Sequence, residues 1–207
     1  MSQSYHACLA YLYGLQSHGV KLGLETIRNL LAKSNHPERK FTALHIGGTN
    51  GKGSTAAMTA SVLRAANVRV GLYTSPHLID FRERIQVQGE QISESRVVDL
   101  VRRFQMGSKG AVTPTFFETT TAMAFQYFAE EKVDVAVLEV GMGGRFDATN
   151  VCCPSGVLIT NVALDHQAYL GETLDAIAYE KAGIIKAGVP LVIGPMEGCL
   201  LYTSPSP

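Results

Sequence analysis

Gly47-Gly48-Thr49-Asn50-Gly51-Lys52-Gly53-Ser54 joins two stretches of different period, and its reading decides the fold. Before it runs Phe41-Thr-Ala-Leu-His-Ile46, apolar and β-type; after it, Thr55 to Ala66 is helix-type. A strand, a glycine-rich turn with one lysine and then a helix is an arrangement that cradles nucleotide phosphates. Glycines let backbone N–H groups close around phosphate oxygens, and Lys52 adds a fixed positive charge. Ser54 brings a hydroxyl near the place a magnesium ion takes in such loops. The strict pattern puts its first glycine where Ile46 stands and its hydroxyl where Gly53 stands, so this is a variant. Taken alone, the stretch also reads as an ordinary glycine-rich βα turn.

Outward from it the two periods alternate. Helical spacing covers 4–17 and 24–33, the latter stopped by Asn35-His36-Pro37. The spacing then predicts strand 41–46, helix 55–66, strand 68–73, helices 94–105 and 119–131, strands 133–140 and 156–162, helix 173–182 and strand 189–193. Strands such as Val133-Asp-Val-Ala-Val-Leu-Glu-Val140 are continuous apolar runs, which imply a buried, mostly parallel sheet with helices on both faces. Arg84–Gln88 and Gln91-Ile92 around Gly89-Glu90 read as a small β-hairpin excursion, and Gly107–Val112 as a flexible loop. The fold class is α/β. Cys199 to Pro207 follows a strand where a helix is due and ends in a Ser/Pro run, so residues 199–207 read as a non-native tail and 1–198 as the front of a longer protein.

With 207 residues, 46% of them hydrophobic and 17% charged, the chain can bury a sizeable core and is not a disordered sequence. Eighteen basic and eighteen acidic residues cancel, so no broad attraction to nucleic acid or to an anionic membrane is expected. The N-terminus lacks a signal-peptide pattern and no apolar run reaches membrane-spanning length. Cys8, Cys152, Cys153 and Cys199 lack paired spacing, which fits free thiols in a reducing cytoplasm.

Chemistry-bearing residues gather where the strands end. Tyr73-Thr-Ser-Pro-His-Leu78 leads to Asp80-Phe-Arg-Glu-Arg-Ile85, where Ser75 is a candidate metal ligand and Arg82 and Arg84 candidates for an anionic substrate. Glu139 closes an apolar strand, a place that suits a carboxylate only when a cation compensates it. Behind it come Gly141-Met-Gly-Gly-Arg-Phe-Asp-Ala-Thr-Asn150, with Arg145 and Asp147 at the far end. Thr160-Asn-Val-Ala-Leu-Asp-His166 leaves a further strand, and Tyr179-Glu-Lys-Ala-Gly-Ile-Ile-Lys186 offers Lys181 on a helix. Each alone also reads as a turn, a cap or a solvated charge.

Together, GTNGKGS, TSPHL, LEVGMGGRFDATN, NVALDH and YEKAGIIK resemble the folylpolyglutamate synthase/dihydrofolate synthase family of the Mur ligase superfamily, over about residues 1–198. The muramyl ligases share the phosphate loop but are not similar in the segment from SPHL to FRERI. The resemblance implies a P-loop-type α/β core, the Mur ligase central domain, with a C-terminal glutamate-ligase domain lying outside this chain. It implies that Asn50, Gly51, Lys52, Gly53 and Ser54 hold ATP, and that Ser75, Glu139 and His166 serve magnesium, as two ions. In the family the first lysine of EKAGI is carbamylated, which makes Lys181 the corresponding residue. The implied catalytic set is Lys52, Lys181, His166 and Asp147. Pterin recognition would draw on Lys21, Leu22, Gly23 and Leu24, on Thr115, Phe116, Phe117 and Glu118, and on Phe146, Asp147 and Ala148. Lys21 stands where many folate ligases have an acid, which leaves dihydropteroate and reduced folates both open as substrates. The implied protein is a cytoplasmic monomer that adds L-glutamate through an acyl phosphate; a muramyl-peptide-type ligase and a chain that only binds nucleotide are the competing readings.

Overall fold

The computed structural model describes residues 4–19, 23–107 and 113–195, and the account below is of those residues. In chain order the elements are α1 (Tyr5–Gly14), α2 (Glu25–Lys33), β1 (Thr42–Gly47), α3 (Lys52–Ala65), β2 (Val70–Tyr73), β3 (Ile85–Val87), β4 (Glu90–Gln91), α4 (Glu94–Gly107), α5 (Phe116–Glu130), β5 (Val135–Glu139), β6 (Pro154–Ile159), α6 (Gln167–Leu170), α7 (Leu174–Ala182) and β7 (Leu191–Ile193). The seven strands form one sheet in the order β4-β3-β2-β5-β1-β6-β7. β2, β5, β1, β6 and β7 run parallel, while β3 and β4 add the expected hairpin antiparallel to the β2 edge.

Alternation along the strands splits the core into two faces. Ile46, Val70 and Val137 face α3 and pack on Ala56 and Ala60. Ala43, Tyr73, Ala136 and Leu138 face the other way, into the larger core under α1, α2, α4 and α5. Val157 and Ile159 continue that second face and meet Ile184 just beyond α7. Small residues set the helix–sheet distance: at Gly71 of β2 an added Cβ would meet the Phe128 ring of α5 at 2.7 Å. Phe41, Phe125 and Phe128 form edge-to-face pairs there, at 5.7 and 6.0 Å between centroids.

Element edges differ from the sequence pattern for local reasons. Helix α3 begins at Lys52, not at 55, because Gly51 turns through the left-handed region (φ 77°) straight into it. Helix α5 begins at Phe116, not at 119, because Thr115 and Glu118 form a capping box. Strands β2 and β5 are shorter than 68–73 and 133–140, and β6 is shifted from 156–162 to Pro154–Ile159. The helical spacing over 4–17 resolves into α1 and a 3₁₀ turn at Leu15–His18, while the four-residue α6 and the 3₁₀ turns at Pro37–Arg39, Phe81–Arg84 and Ala148–Val151 carried no periodic signal. Gly107 ends α4, and the rest of the 107–112 loop lies outside the described residues, as do Lys21, Leu22 and residues 199–207. Cys8, Cys152 and Cys153 are free thiols. Among the described residues no helix is long and apolar enough to cross a membrane.

Candidate functional site

Five chain segments meet at the carboxyl ends of the parallel strands, where ligands gather in open α/β sheets. β1 runs into Gly47–Gly51 and then α3, whose first amides have no carbonyl partner within the helix. The loop after β6 holds this turn in place. Thr160 Oγ1 donates to the Asn50 carbonyl at 2.7 Å, and Asn161 Oδ1 accepts from the Asn50 amide at 2.9 Å. The Thr49 hydroxyl donates to the Ala163 carbonyl at 3.2 Å and accepts from the Ala163 amide at 3.0 Å. Gly48 sits at φ 137°, and a Cβ on it would meet the Thr160 side chain. Lys52 Nζ donates to the Thr49 carbonyl at 2.9 Å, so its charge is folded back over the loop.

Two buried charges flank this loop. Glu139, 4% exposed, accepts from the Ser75 amide at 2.9 Å through Oε2; its Oε1 accepts no hydrogen bond among the described residues. Burial raises its pKa, while the Ser75 amide and the Lys52 charge oppose that rise. Gly53 lies against this acid: a Cβ there would sit 3.4 and 3.5 Å from the two carboxylate oxygens, in ordinary contact. The glycine that displaces the hydroxyl from its usual place therefore abuts the acid. Lys181, 3% exposed, donates to the Gly48 carbonyl at 2.8 Å. Burial first, and the Lys52 charge second, lower its pKa to about 8.

Beside these groups opens a cavity of about 540 Å³, lined by Gly23, Ser75, Arg84, Phe117, Asp147 and His166, among others. Phe116 stacks on Tyr13 at 5.8 Å, and Phe117 leans on Tyr73 at 6.0 Å. Phe117 also covers Gly141, where a Cβ would meet its ring at 2.5 Å. Thr115 and Glu118 cap α5 reciprocally, the Thr115 amide donating to Glu118 at 2.8 Å. Asp147 is buried, and its carboxylate accepts from the Gly141 and Met142 amides at 2.9 and 3.0 Å and from the Thr149 amide at 3.0 Å. Burial raises its pKa, and these bonds hold it down. Phe146 and Ala148 also line the cavity.

The segment from Ser75 to Arg84 is strapped rather than loose. Glu83 accepts from the amides of Leu78, Ile79 and Asp80 at 2.8, 3.0 and 2.7 Å. Arg84 is buried, donates from Nε to His77 Nδ1 at 2.7 Å and lies 5.2 Å over Phe116. Arg82, expected to meet an anionic substrate, instead grips Asp80 at 2.7 Å and holds that acid down at about 2. Of the two arginines, Arg84 alone lines the cavity. Leu24 lines a different cavity of about 710 Å³, with Arg28 and Lys186, at the amino ends of β1 and β6; the chain turns away from Gly23 before reaching it.

His166 is half exposed and starts α6, with Nε2 3.6 Å from Asp165. It shares the 540 Å³ cavity with Ser75. Among the described residues no cluster of three or more His, Cys, Asp and Glu could hold a metal on its own. Sequence reasoning passed over Thr160 and Asn161 as loop supports and His45 as a buried partner of Thr149, at 2.8 Å. Polar residues within or just after an apolar strand were the available signal for all three.

Residues 46–192 match the family described as the Mur ligase middle domain. The dihydrofolate synthase/folylpolyglutamate synthase of Bacillus subtilis is 45% identical over 198 residues, which cover 93% of this chain and 46% of that protein. A solved FPGS–AMPPCP–folate complex matches with a TM-score of 0.89 at 39% identity, over 97% of this chain and 50% of its own. Escherichia coli FolC in complex with DHPP and ADP matches with a TM-score of 0.88 at 35% identity, over 97% and 49%. The chain thus spans about half the length of the relatives it matches. By the matched middle domain, the sheet order and the glycine loop together, the chain belongs to the Mur ligase family.

Proposed function

We propose that this chain forms the ATP-binding and pteroate- or folate-binding part of a ligase that joins L-glutamate to a carboxylate through an acyl phosphate. One observation carries the reading: Lys52, Glu139 and Lys181 converge on the glycine loop beside a cavity walled by Phe116 and Phe117. The solved relatives bind AMPPCP with folate, and ADP with DHPP, and this convergence provides for both kinds of ligand side by side. Asn50 to Ser54 would receive the phosphates on backbone amides and on Lys52. The γ-phosphoryl passes to the substrate carboxylate, the glutamate amine attacks the acyl phosphate, and phosphate leaves. Positioning and charge do most of this work.

Magnesium fits the donor set, since a buried carboxylate with one unused oxygen faces the loop across Gly53. Magnesium sites commonly combine one or two carboxylates with substrate phosphates, which suits a place without a ready-made protein cage. Glu139, the Ser75 hydroxyl and His166 would hold it, two ions in all as in the family, and bound metal would neutralise the phosphate charge. Lys181, with its lowered pKa, loses its proton more readily than an ordinary lysine, and the neutral amine so formed can be carbamylated by carbon dioxide, turning a cation into a carboxylate-like group. Asp147 would keep the glycine turn in shape at the pterin end, and Gly23, Thr115, Phe116, Phe117, Glu118, Phe146 and Ala148 would surround the ring. A cytoplasmic monomer is part of the same proposal.

The test is binding by the 207-residue chain, with turnover expected of the whole-length protein. AMPPCP titrated calorimetrically should bind weakly, and Lys52→Ala should weaken it about tenfold or more, as expected for the loss of a charge-assisted contact. Equal affinity for the Lys52→Ala variant refutes the phosphate assignment. Formation of a glutamylated product by this chain alone, dependent on ATP and glutamate, refutes the expected division of labour.

A further inference from the structure

His45 stands in the middle of β1, fully buried between parallel neighbours, where the strand's other positions are apolar or small. A histidine here costs free energy that a leucine would not, because its Nδ1 is buried without a partner among the described residues. Its other nitrogen makes one bond, at 2.8 Å to Thr149 Oγ1. The Thr149 hydroxyl is itself bonded to Asp147 Oδ1, an oxygen that also accepts the Thr149 amide. An ionised Asp147 can only accept, and the Thr149 proton then points to Asp147 while the Thr149 oxygen accepts from His45 Nε2. Burial lowers the His45 pKa to about 3, so the ring is neutral.

The other Asp147 oxygen takes the amides of Gly141 and Met142, the turn that floors the 540 Å³ cavity. The chain of bonds thus runs from the sheet centre to the cavity wall: His45 to Thr149, Thr149 to Asp147, Asp147 to the turn. No cation forms an ion pair with Asp147 among the described residues, so hydrogen bonds alone carry its charge. Bonds in such a chain polarise one another, and losing the first weakens the last.

We infer that His45 is a positioning residue, which acts through Thr149 and Asp147 to fix the Gly141–Met142 turn against the cavity. The link to substrate rests on the pterin reading of that cavity; the link to the turn does not.

Amide hydrogen exchange of the 207-residue chain, read by NMR, tests it. In His45→Leu the Gly141 and Met142 amides should exchange about tenfold faster, the equivalent of one lost hydrogen bond. The Thr49 and Asn50 amides, held by Asn161, should stay within about twofold, since they draw on a separate support. His45→Gln keeps an N–H donor near the same place and should restore protection. Thr149→Val breaks the chain while keeping the histidine, and should expose the same two amides even if His45→Leu does not fold. Unchanged protection of Gly141 and Met142 in Thr149→Val, or loss spread evenly over the fold in each variant, overturns the inference. Dihydropteroate binding by fluorescence should weaken with the turn while AMPPCP binding holds. If the parent chain binds no dihydropteroate although the exchange result stands, the pterin reading fails and the positioning role remains.

Discussion

Replacing Lys181 by methionine should make the chain more stable at neutral pH. The side chain is 3% exposed and bonds a single carbonyl, that of Gly48, at 2.8 Å. Its pKa falls from 10.5 to about 8, chiefly through burial, so holding it protonated costs roughly 3 kcal/mol at 1.36 kcal/mol per pH unit. Methionine is similar in length and apolar; it forfeits the hydrogen bond, worth about 1 kcal/mol. The net gain at pH 7 is then about 2 kcal/mol. The folded-state value lies below the unfolded one, so between about pH 8 and 10.5 the unfolded chain binds the extra proton and parent stability rises with pH. The advantage of Lys181→Met should therefore shrink over that window and invert near its upper end, where only the lost hydrogen bond remains. Urea unfolding of both chains from pH 7 to 10, in buffer freed of carbon dioxide, measures this. A Lys181→Met chain that is less stable at pH 7, or a difference that does not move with pH, refutes the reasoning.

Two further outcomes follow from packing and capping. Gly71→Ala should cost about 1–3 kcal/mol in urea unfolding, since its Cβ falls 2.7 Å from a Phe128 ring that Phe41 and the sheet hold in place. A loss below about 0.5 kcal/mol, the scatter of surface changes, would mean that α5 slides on the sheet. Glu83→Gln should raise amide exchange at Leu78, Ile79 and Asp80, whose amides Glu83 accepts. Those bonds, Leu78's first, lower the Glu83 pKa, so parent protection should hold above the ordinary carboxylate range and fade as acid protonates the group. Protection unaffected by both acid and substitution would show that the strap at Arg84 and His77 is sufficient alone.

Much of the fold was legible because the sheet is buried on both faces. Val135–Glu139 and Thr42–Gly47 are central parallel strands, so both of their faces had to be apolar or small, and a continuous run records that. The antiparallel hairpin was legible for a different reason: Gly89, at φ 82°, marks its turn. Strand order was not legible. β5 lies between β1 and β2 with Gly71 packed on the Phe128 ring, a contact between residues 57 positions apart that no local period records. Boundaries failed where a side chain, not a period, ended the element, as Thr115 and Glu118 do for α5.

The site divides along the same line. Residues proposed to meet a ligand are marked by type and place, as Lys52 is where the glycine turn enters α3 and Glu139 is at the end of β5. Those that hold the loop are ordinary polar residues whose meaning lies in a partner far along the chain. Thr160 reaches back 110 residues to Asn50, and His45 reaches forward 104 to Thr149. Lys181 is the sharpest case. As a helix lysine beside Glu180 it reads as a solvated charge, yet α7 packs so closely that Gly144 has no room for a side chain against the Glu180 and Lys181 carbonyls, at 2.9 Å each. That glycine lets the 141–147 turn lie on α7, and α7 in turn delivers the buried ammonium to Gly48. A lysine that the fold bears at a cost of kilocalories, in a place reached through a glycine contact, fits the role proposed for it beside Lys52 better than a role in stability.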